Sequence, residues 1–170
     1  MRLYLMRSGF ASDTQGADGS AQSPASGPDQ PLSREGLSVT RRVAQGLRRL
    51  EVSPDVILTS PIRRAVQTSE IAAEVFGLSA QQLHRTAALL AEQAPDELRQ
   101  ELARIEVDSV LCVGHAPHLD WVVADVCGRL DEPITSLRRG SVVCLEVEEN
   151  LPVAWLVWLL EAPMLARLGE

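Results

Sequence analysis

The chain opens with MRLYLMRSGFAS (residues 1–12), an apolar run that stops abruptly at Arg7-Ser8-Gly9. Leu3, Tyr4, Leu5 and Met6 are apolar at successive positions, the pattern of a strand buried on both faces rather than one with a wet side. A cation and a hydroxyl at the end of such a strand raise the question of what they face. Two further segments repeat the arrangement. Residues 55–59 (DVILT) are followed by Ser60-Pro61 and Arg63-Arg64, and residues 109–113 (SVLCV) run into Gly114-His115-Ala116-Pro117.

Helical spacing fills the intervals between these strands. Ser33 reads as an N-cap with Arg34-Glu35 in the first turn, and Leu37, Thr40, Val43, Ala44, Leu47 and Leu50 recur three and four residues apart until Ser53-Pro54. Ser60-Pro61 reads as a cap with proline at the first helical position, opening a helix that runs to about Phe76 and stops at Gly77. Residues 83–90 are a loop or short strand, and residues 95–105 a further helix. The apolar stretch through Trp121, Val122, Ala124 and Val126 forms another, ending at Cys127-Gly128. Two β-rich runs, 141–147 and 153–159, close the chain as a hairpin around Glu148-Glu149-Asn150-Leu151-Pro152. Strand, helix, strand, helix, strand, helix is the grammar of a parallel sheet covered on both faces. The expected fold is a single α/β domain, residues 1–170, with three α/β/α layers and a mostly parallel central sheet.

One segment breaks the alternation. Residues 10–31 are mostly Ser, Ala, Gly, Asp, Gln and Pro, too poor in large apolar side chains to offset their ordering entropy. They read as a long mobile loop, and their place directly after Arg7-Ser8-Gly9 makes them a candidate lid. At 170 residues and 45% hydrophobic content the chain can bury one sizeable core. A formal charge of -7 and a pI near 5.0 argue against nucleic acid or an anionic membrane as partner, since both attract a basic face. Any bound anion is then held locally, by a few placed arginines. Cys112, Cys127 and Cys144 lie in apolar runs at unequal spacing, an odd set that reads as reduced, buried thiols and hence a cytoplasmic home. No secretory leader is expected, and the longest apolar run, 151–160, is too short for a bilayer and contains Pro152.

In a parallel sheet the binding crevice lies outside the carboxyl ends of the strands. Arg7-Ser8-Gly9, Ser60-Pro61 with Arg63-Arg64, and Gly114-His115 all stand at such ends, so three separate segments should converge on one edge. Arg7, Arg64 and His115 beside a helix N-terminus form an anion site, and forked guanidinium donors suit phosphate oxygens. Arg64, one turn into its helix, reaches back over that terminus. No metal or other cofactor is implied: His118 follows His115 by three residues, but Pro117 intervenes and no acidic or thiolate set completes a site.

These segments resemble the histidine phosphatase superfamily, with its phosphoglycerate-mutase-like fold, and most closely the small SixA-type phosphohistidine phosphatases. MRLYLMRSG is similar to the family's strand ending in Arg-His-Gly, and QPLSREG to its PLT-x-x-G segment. LTSPIRRAVQTSEI matches S-P-x-x-R-A-x-Q-T, and VLCVGHAPHL matches V-G-H-x-P-x-L. The resemblance implies a phosphate pocket of Arg7, Arg64 and His115, with Arg64 rather than Arg63 at the motif arginine. It implies phosphate or a phosphomonoester as ligand, and a phosphohistidine-containing signalling protein as partner. It also isolates a departure. Where the family has the histidine that attacks phosphorus, this chain has Ser8, and Phe10 replaces the acidic residue that often follows the motif glycine.

Serine lacks the neutral-pH basicity of imidazole, and its phosphate ester is stable without further activation. Three readings stay open. Ser8 is a new nucleophile with His115 as base; a water in the vacated ring position hydrolyses slowly; or the pocket binds phosphate without turnover, as a pseudophosphatase. The general acid is open too. Glu92 in LLAEQAPDEL lies in the region where larger family members have a glutamate, and it reads equally as part of the solvated start of the helix near Pro95. His118 reads as a pocket-rim residue, His84 as exposed or hydrogen-bonded. Arg41, Arg42, Arg48 and Arg49 read as a solvated helix face, and Trp121, Trp155 and Trp158 as packing residues. Arg138-Arg139-Gly140-Ser141 is either an ordinary charged turn or an extension of the basic rim.

Overall fold

The computed structural model describes residues 1–11, 30–128, 131–148 and 153–170, so most of the expected loop 10–31 and the hairpin connection lie outside the described residues. In chain order the elements are β1 (Arg2–Arg7), α1 (Arg34–Arg49), β2 (Val56–Thr59), α2 (Arg63–Phe76), β3 (Leu83–Arg85) and α3 (Pro95–Leu102). They continue with β4 (Ser109–Gly114), α4 (His118–Val126), β5 (Val142–Val147), β6 (Ala154–Leu160) and α5 (Ala162–Leu168). The six strands form one sheet in the order β3-β2-β4-β1-β5-β6. β3, β2, β4 and β1 are parallel, while β5 runs antiparallel to β1 and β6 antiparallel to β5. The sheet is therefore mixed, with a parallel core, and the expected pairing of the last two strands is present.

Period-two alternation within β1 decides the layers. Leu3 and Leu5 point into one core with α3 and α4, through Leu98, Leu102, Leu119 and Val123. Tyr4 and Met6 point into the other, with Val43 and Leu47 of α1, Ala72 of α2 and Leu165 of α5. Leu3, Leu5, Met6, Ile57 and Leu111 are fully buried, and each such side chain contributes about 1.5–3 kcal/mol relative to exposure. A strand apolar at every position is thus required by helices on both faces.

The helix ends follow local chemistry. The Ser33 Oγ accepts the Gly36 N–H at 2.9 Å as the α1 N-cap, and Gly77 closes α2 in the left-handed region at φ 73°. One expectation is corrected: α2 begins at Arg63 with Ile62 as its extended N-cap residue, so Ser60 does not cap it. Helix α5 has no counterpart in the sequence reading. Its seven residues lie across α1 at Gly46, where a Cβ would overlap the Leu165 carbonyl oxygen, so glycine sets the approach of the two helices.

The tryptophans divide. Trp158 stacks at a tilt on Tyr4, with ring centroids 5.9 Å apart, and Trp121 is partly covered at 37% exposure, whereas Trp155 on an edge strand is 63% exposed, contrary to the expected packing role. Cys112 and Cys144 are buried and Cys127 is half-buried, all as free thiols. Arg41 and Arg42 lie on the solvated face of α1, paired with Glu74 and Glu170. Among the described residues, no helix is long and apolar enough to cross a membrane.

Candidate functional site

Strand register brings the polar clusters together. Arg7 of β1 lies opposite Gly114 of β4, and Thr59 of β2 opposite Val113, so the residues that follow stand side by side. The ladder continues one step beyond the strands. The Ser8 N–H donates to the Gly114 carbonyl at 2.9 Å, and the Ser60 N–H to the Val113 carbonyl at 2.9 Å. Ser8, His115 and Ser60 therefore sit on one edge, each buried, with Ser8 3% and His115 5% exposed.

His115 is the hub. Its Nε2 is 2.9 Å from the Ser60 Oγ, while its Nδ1 faces the Ser8 Oγ at 3.4 Å and the Arg64 Nη2 at 3.5 Å. A guanidinium only donates, so Nδ1 presents its lone pair to the pocket and the proton resides on Nε2, donated to Ser60. Burial, then the charges of Arg64, Arg7 and His118, push the imidazole down to about 4, so the ring is neutral at pH 7.

The helix that carries Arg64 is pinned to the end of β1. The Thr68 Oγ1 accepts the Gly9 N–H at 3.1 Å and donates to the Arg64 carbonyl at 2.8 Å. Gly9 fits because a Cβ there would stand 2.5 Å from the Thr40 Oγ1. Arg7 is held from the other side. Its Nη1 donates to the Leu137 carbonyl at 2.6 Å, and the Asp120 Oδ1 fixes that segment by accepting the Leu137 N–H and the Thr135 hydroxyl, each at 2.8 Å. Burial and the Arg139 charge push both Arg7 and Arg64 below the usual arginine range, with buried Asp120 opposing this at Arg7. Clustered guanidiniums destabilise one another, so an anion placed among them lowers the energy of all.

Each residue singled out in the sequence can now be placed. Arg7, Ser8, Arg64 and His115 come together; Arg63 does not, and instead lines an adjoining cavity of about 560 Å³ with Gln67, Glu70 and Arg85. His118 is 2% exposed, so it is a buried residue and not a rim residue. Neither of its ring nitrogens has a partner of normal hydrogen-bond geometry. Burial lowers its pKa, while the Ala94 backbone and Glu92 carboxylate on its side oppose that shift. Glu92 is exposed in the turn before α3, whose first turn carries Asp96 and Glu97. His84 is exposed on β3. Sequence reasoning missed Asp120 and Thr68, and it placed Ser60 on this edge as a helix cap without its bond to His115. An acid within the apolar run of α4 was the available signal for Asp120. A larger cleft of about 820 Å³ opens at the opposite, amino-terminal edge of β1 and β4, around Met1, Leu102, Val126 and Ala154. The carboxyl edge is where such sheets bind ligands and where the titratable groups converge.

The depressed His115 pKa makes stability pH-dependent. An unfolded imidazole takes its proton near 6.5 and the folded one only near 4, so between these values the unfolded chain binds more protons. Stability from this group is full above pH 6.5, falls through the window as pH drops, and levels off below 4, a loss of about 3 kcal/mol. His118 acts in the same direction. Urea unfolding at pH 7 and pH 4.5 is expected to show a smaller acid loss for His115→Gln than for the native chain; equal losses would assign the effect elsewhere.

The histidine phosphatase superfamily (branch 1) model matches residues 3–92, and the chain belongs to that superfamily. Within it the chain is SixA-like. It is 27% identical over 162 residues to the phosphohistidine phosphatase SixA of Escherichia coli, covering 91% of this chain and 92% of that protein. It is 34% identical over 155 residues to an uncharacterized protein of Picosynechococcus sp., covering 84% and 83%. A solved structure of the protein histidine phosphatase SixA complexed with tungstate superposes with a TM-score of 0.82 at 23% identity, over 97% of this chain and 99% of that one, a likeness of fold.

Proposed function

We propose that the chain recognises a phosphoryl group with Arg7, Arg64 and His115 and does not carry it covalently. The ligand is a phosphomonoester or the phosphohistidine of a signalling protein. The observation behind this is Ser8 itself, lying between Arg7 and His115 at the strand end that resembles the family's Arg-His-Gly. Two guanidiniums and a neutral imidazole supply charge-assisted donors and a protonatable ring for a tetrahedral dianion. Tungstate, bound in the SixA structure of the same fold, has that shape and charge. The activity named for the Escherichia coli relative supports phosphohistidine as the ligand class.

A second reading has its own observation. The Ser8 Oγ is 3.4 Å from the His115 Nδ1, the arrangement of a serine with a base beside it. Magnitude decides against it: a base is most effective with a pKa near the working pH, and His115 is held down to about 4. Calorimetry with inorganic phosphate and a phosphohistidine peptide is expected to show binding, weakened at least about tenfold in Arg64→Ala, and phosphate release is expected to stay at background. Absence of binding ends the first reading. Turnover that Ser8→Ala abolishes establishes the second.

A further inference from the structure

All sixteen cations of this chain are arginines. Among the described residues, five of them pair with carboxylates: Arg2 with Glu146, Arg41 with Glu74, Arg42 with Glu170, Arg99 with Asp125 and Arg138 with Glu161. The arginines gathered at the site do not. Among the described residues no carboxylate lies within ion-pair distance of Arg7, Arg64 or Arg139.

Arg139 belongs to the turn that leads into β5, and main-chain hydrogen bonds clamp this turn to Arg7. The Gly140 N–H donates to the Arg7 carbonyl at 3.0 Å, the Arg7 N–H to the Ser141 carbonyl at 3.1 Å, and the Ser141 N–H to the Arg138 carbonyl at 3.0 Å. The Arg7 guanidinium bonds the Leu137 carbonyl of the same segment. Gly140, at φ 73°, supplies the left-handed residue that the turn needs. The two neighbouring arginines then take different company. Arg138 reaches Glu161 at 3.6 Å, whereas the Arg139 charge bears on both Arg7 and Arg64, and on Arg64 it weighs more than Arg7 does. Arg64 approaches the site from the β2 side, Arg7 from β1, and Arg139 from the β5 side.

Charge balance gives this placement a purpose. As long as His115 stays neutral, as it is in the free site at pH 7, Arg7 and Arg64 with buried Asp120 sum to a single positive charge. A phosphomonoester carries about -1.5 to -2 at pH 7, so two arginines leave an excess of buried negative charge. A third brings the site to two positive charges and matches the dianion.

We propose that Arg139 is a third phosphate-holding arginine, closing on the bound phosphoryl group from the β5 turn, across the site from Arg64. The proposal rests on the phosphoryl-binding reading above and adds to it a residue outside the segments that carry the family resemblance. Because Arg139 is exposed, its removal leaves the folded core intact. Titration with inorganic phosphate at several salt concentrations compares the native chain, Arg139→Ala, Arg138→Ala and Arg64→Ala. Arg139→Ala is expected to weaken phosphate about tenfold and to flatten the salt dependence, while Arg138→Ala stays within about twofold. Native affinity in Arg139→Ala, with affinity lost in Arg64→Ala, overturns the third arginine and leaves the pocket standing. Equal losses in Arg138→Ala and Arg139→Ala also overturn it, because a diffuse rim field would then suffice. No phosphate binding by the native chain removes both the pocket reading and this one.

Discussion

Ser8→His is expected to give the chain phosphatase activity, raising phosphate release from a generic phosphomonoester and from a phosphohistidine protein by at least about a hundredfold. The main chain on both sides of residue 8 is already fixed. The Ser8 N–H is bonded to Gly114 and the Gly9 N–H to Thr68, so a ring introduced there projects into the space bordered by Arg64 and His115. The two flanking guanidiniums disfavour a further cation beside them, and a neutral imidazole is the form that attacks phosphorus. The double variant Ser8→His/Arg64→Ala is expected to return to background, since the oxygens of the transferring group lose a charge-assisted clamp. If Ser8→His binds phosphate and yet remains inert, the missing nucleophile is not the only defect. Proton donation to the leaving group, for which Glu92 stands exposed beyond buried His118, then becomes the limiting element.

The parts of this site that were legible share one property: they sit at strand ends, and strands announce themselves by consecutive apolar residues. Once β1, β2 and β4 are parallel neighbours, Arg7, Ser8, Ser60 and His115 fall on one edge with no further information. What was not legible depends on partners remote in sequence. Ser60 before proline has the local chemistry of an N-cap, but Ile62 stays extended and the hydroxyl goes to His115, 55 residues away. Asp120 went unread because its role depends on Thr135 and Leu137, which arrive from beyond the helix to bond it. Helix α5 is too short to show periodicity; its stability comes from α1, through a glycine at residue 46. Trp155 errs in the opposite direction. A packing role was expected, but β6 is an edge strand and Trp155 remains mostly exposed.

Anion binding is expected to strengthen steeply with acid, with His115 responsible. In the free site the ring is neutral above about pH 4, because burial and the two arginines oppose its charge. A bound dianion reverses the second influence: it screens Arg7 and Arg64 from the ring and itself favours the imidazolium, whose Nδ1 can then donate to the ligand. The pKa of His115 is therefore higher in the complex than in the free protein, and between the two values binding takes up one proton. Affinity must rise as pH falls through that window, approaching tenfold per pH unit and about a hundredfold over two units. Sulfate is the suitable probe, since it keeps both charges across this range whereas phosphate titrates. Calorimetry from pH 8 down to pH 5, in buffers of different ionisation enthalpy, measures the affinity and the proton uptake together. His115→Gln is expected to bind more weakly and with a flat profile. A flat profile in the native chain would mean that His115 does not face the anion, leaving a site that works through arginine alone; a steep profile that survives in His115→Gln would transfer the proton to buried His118.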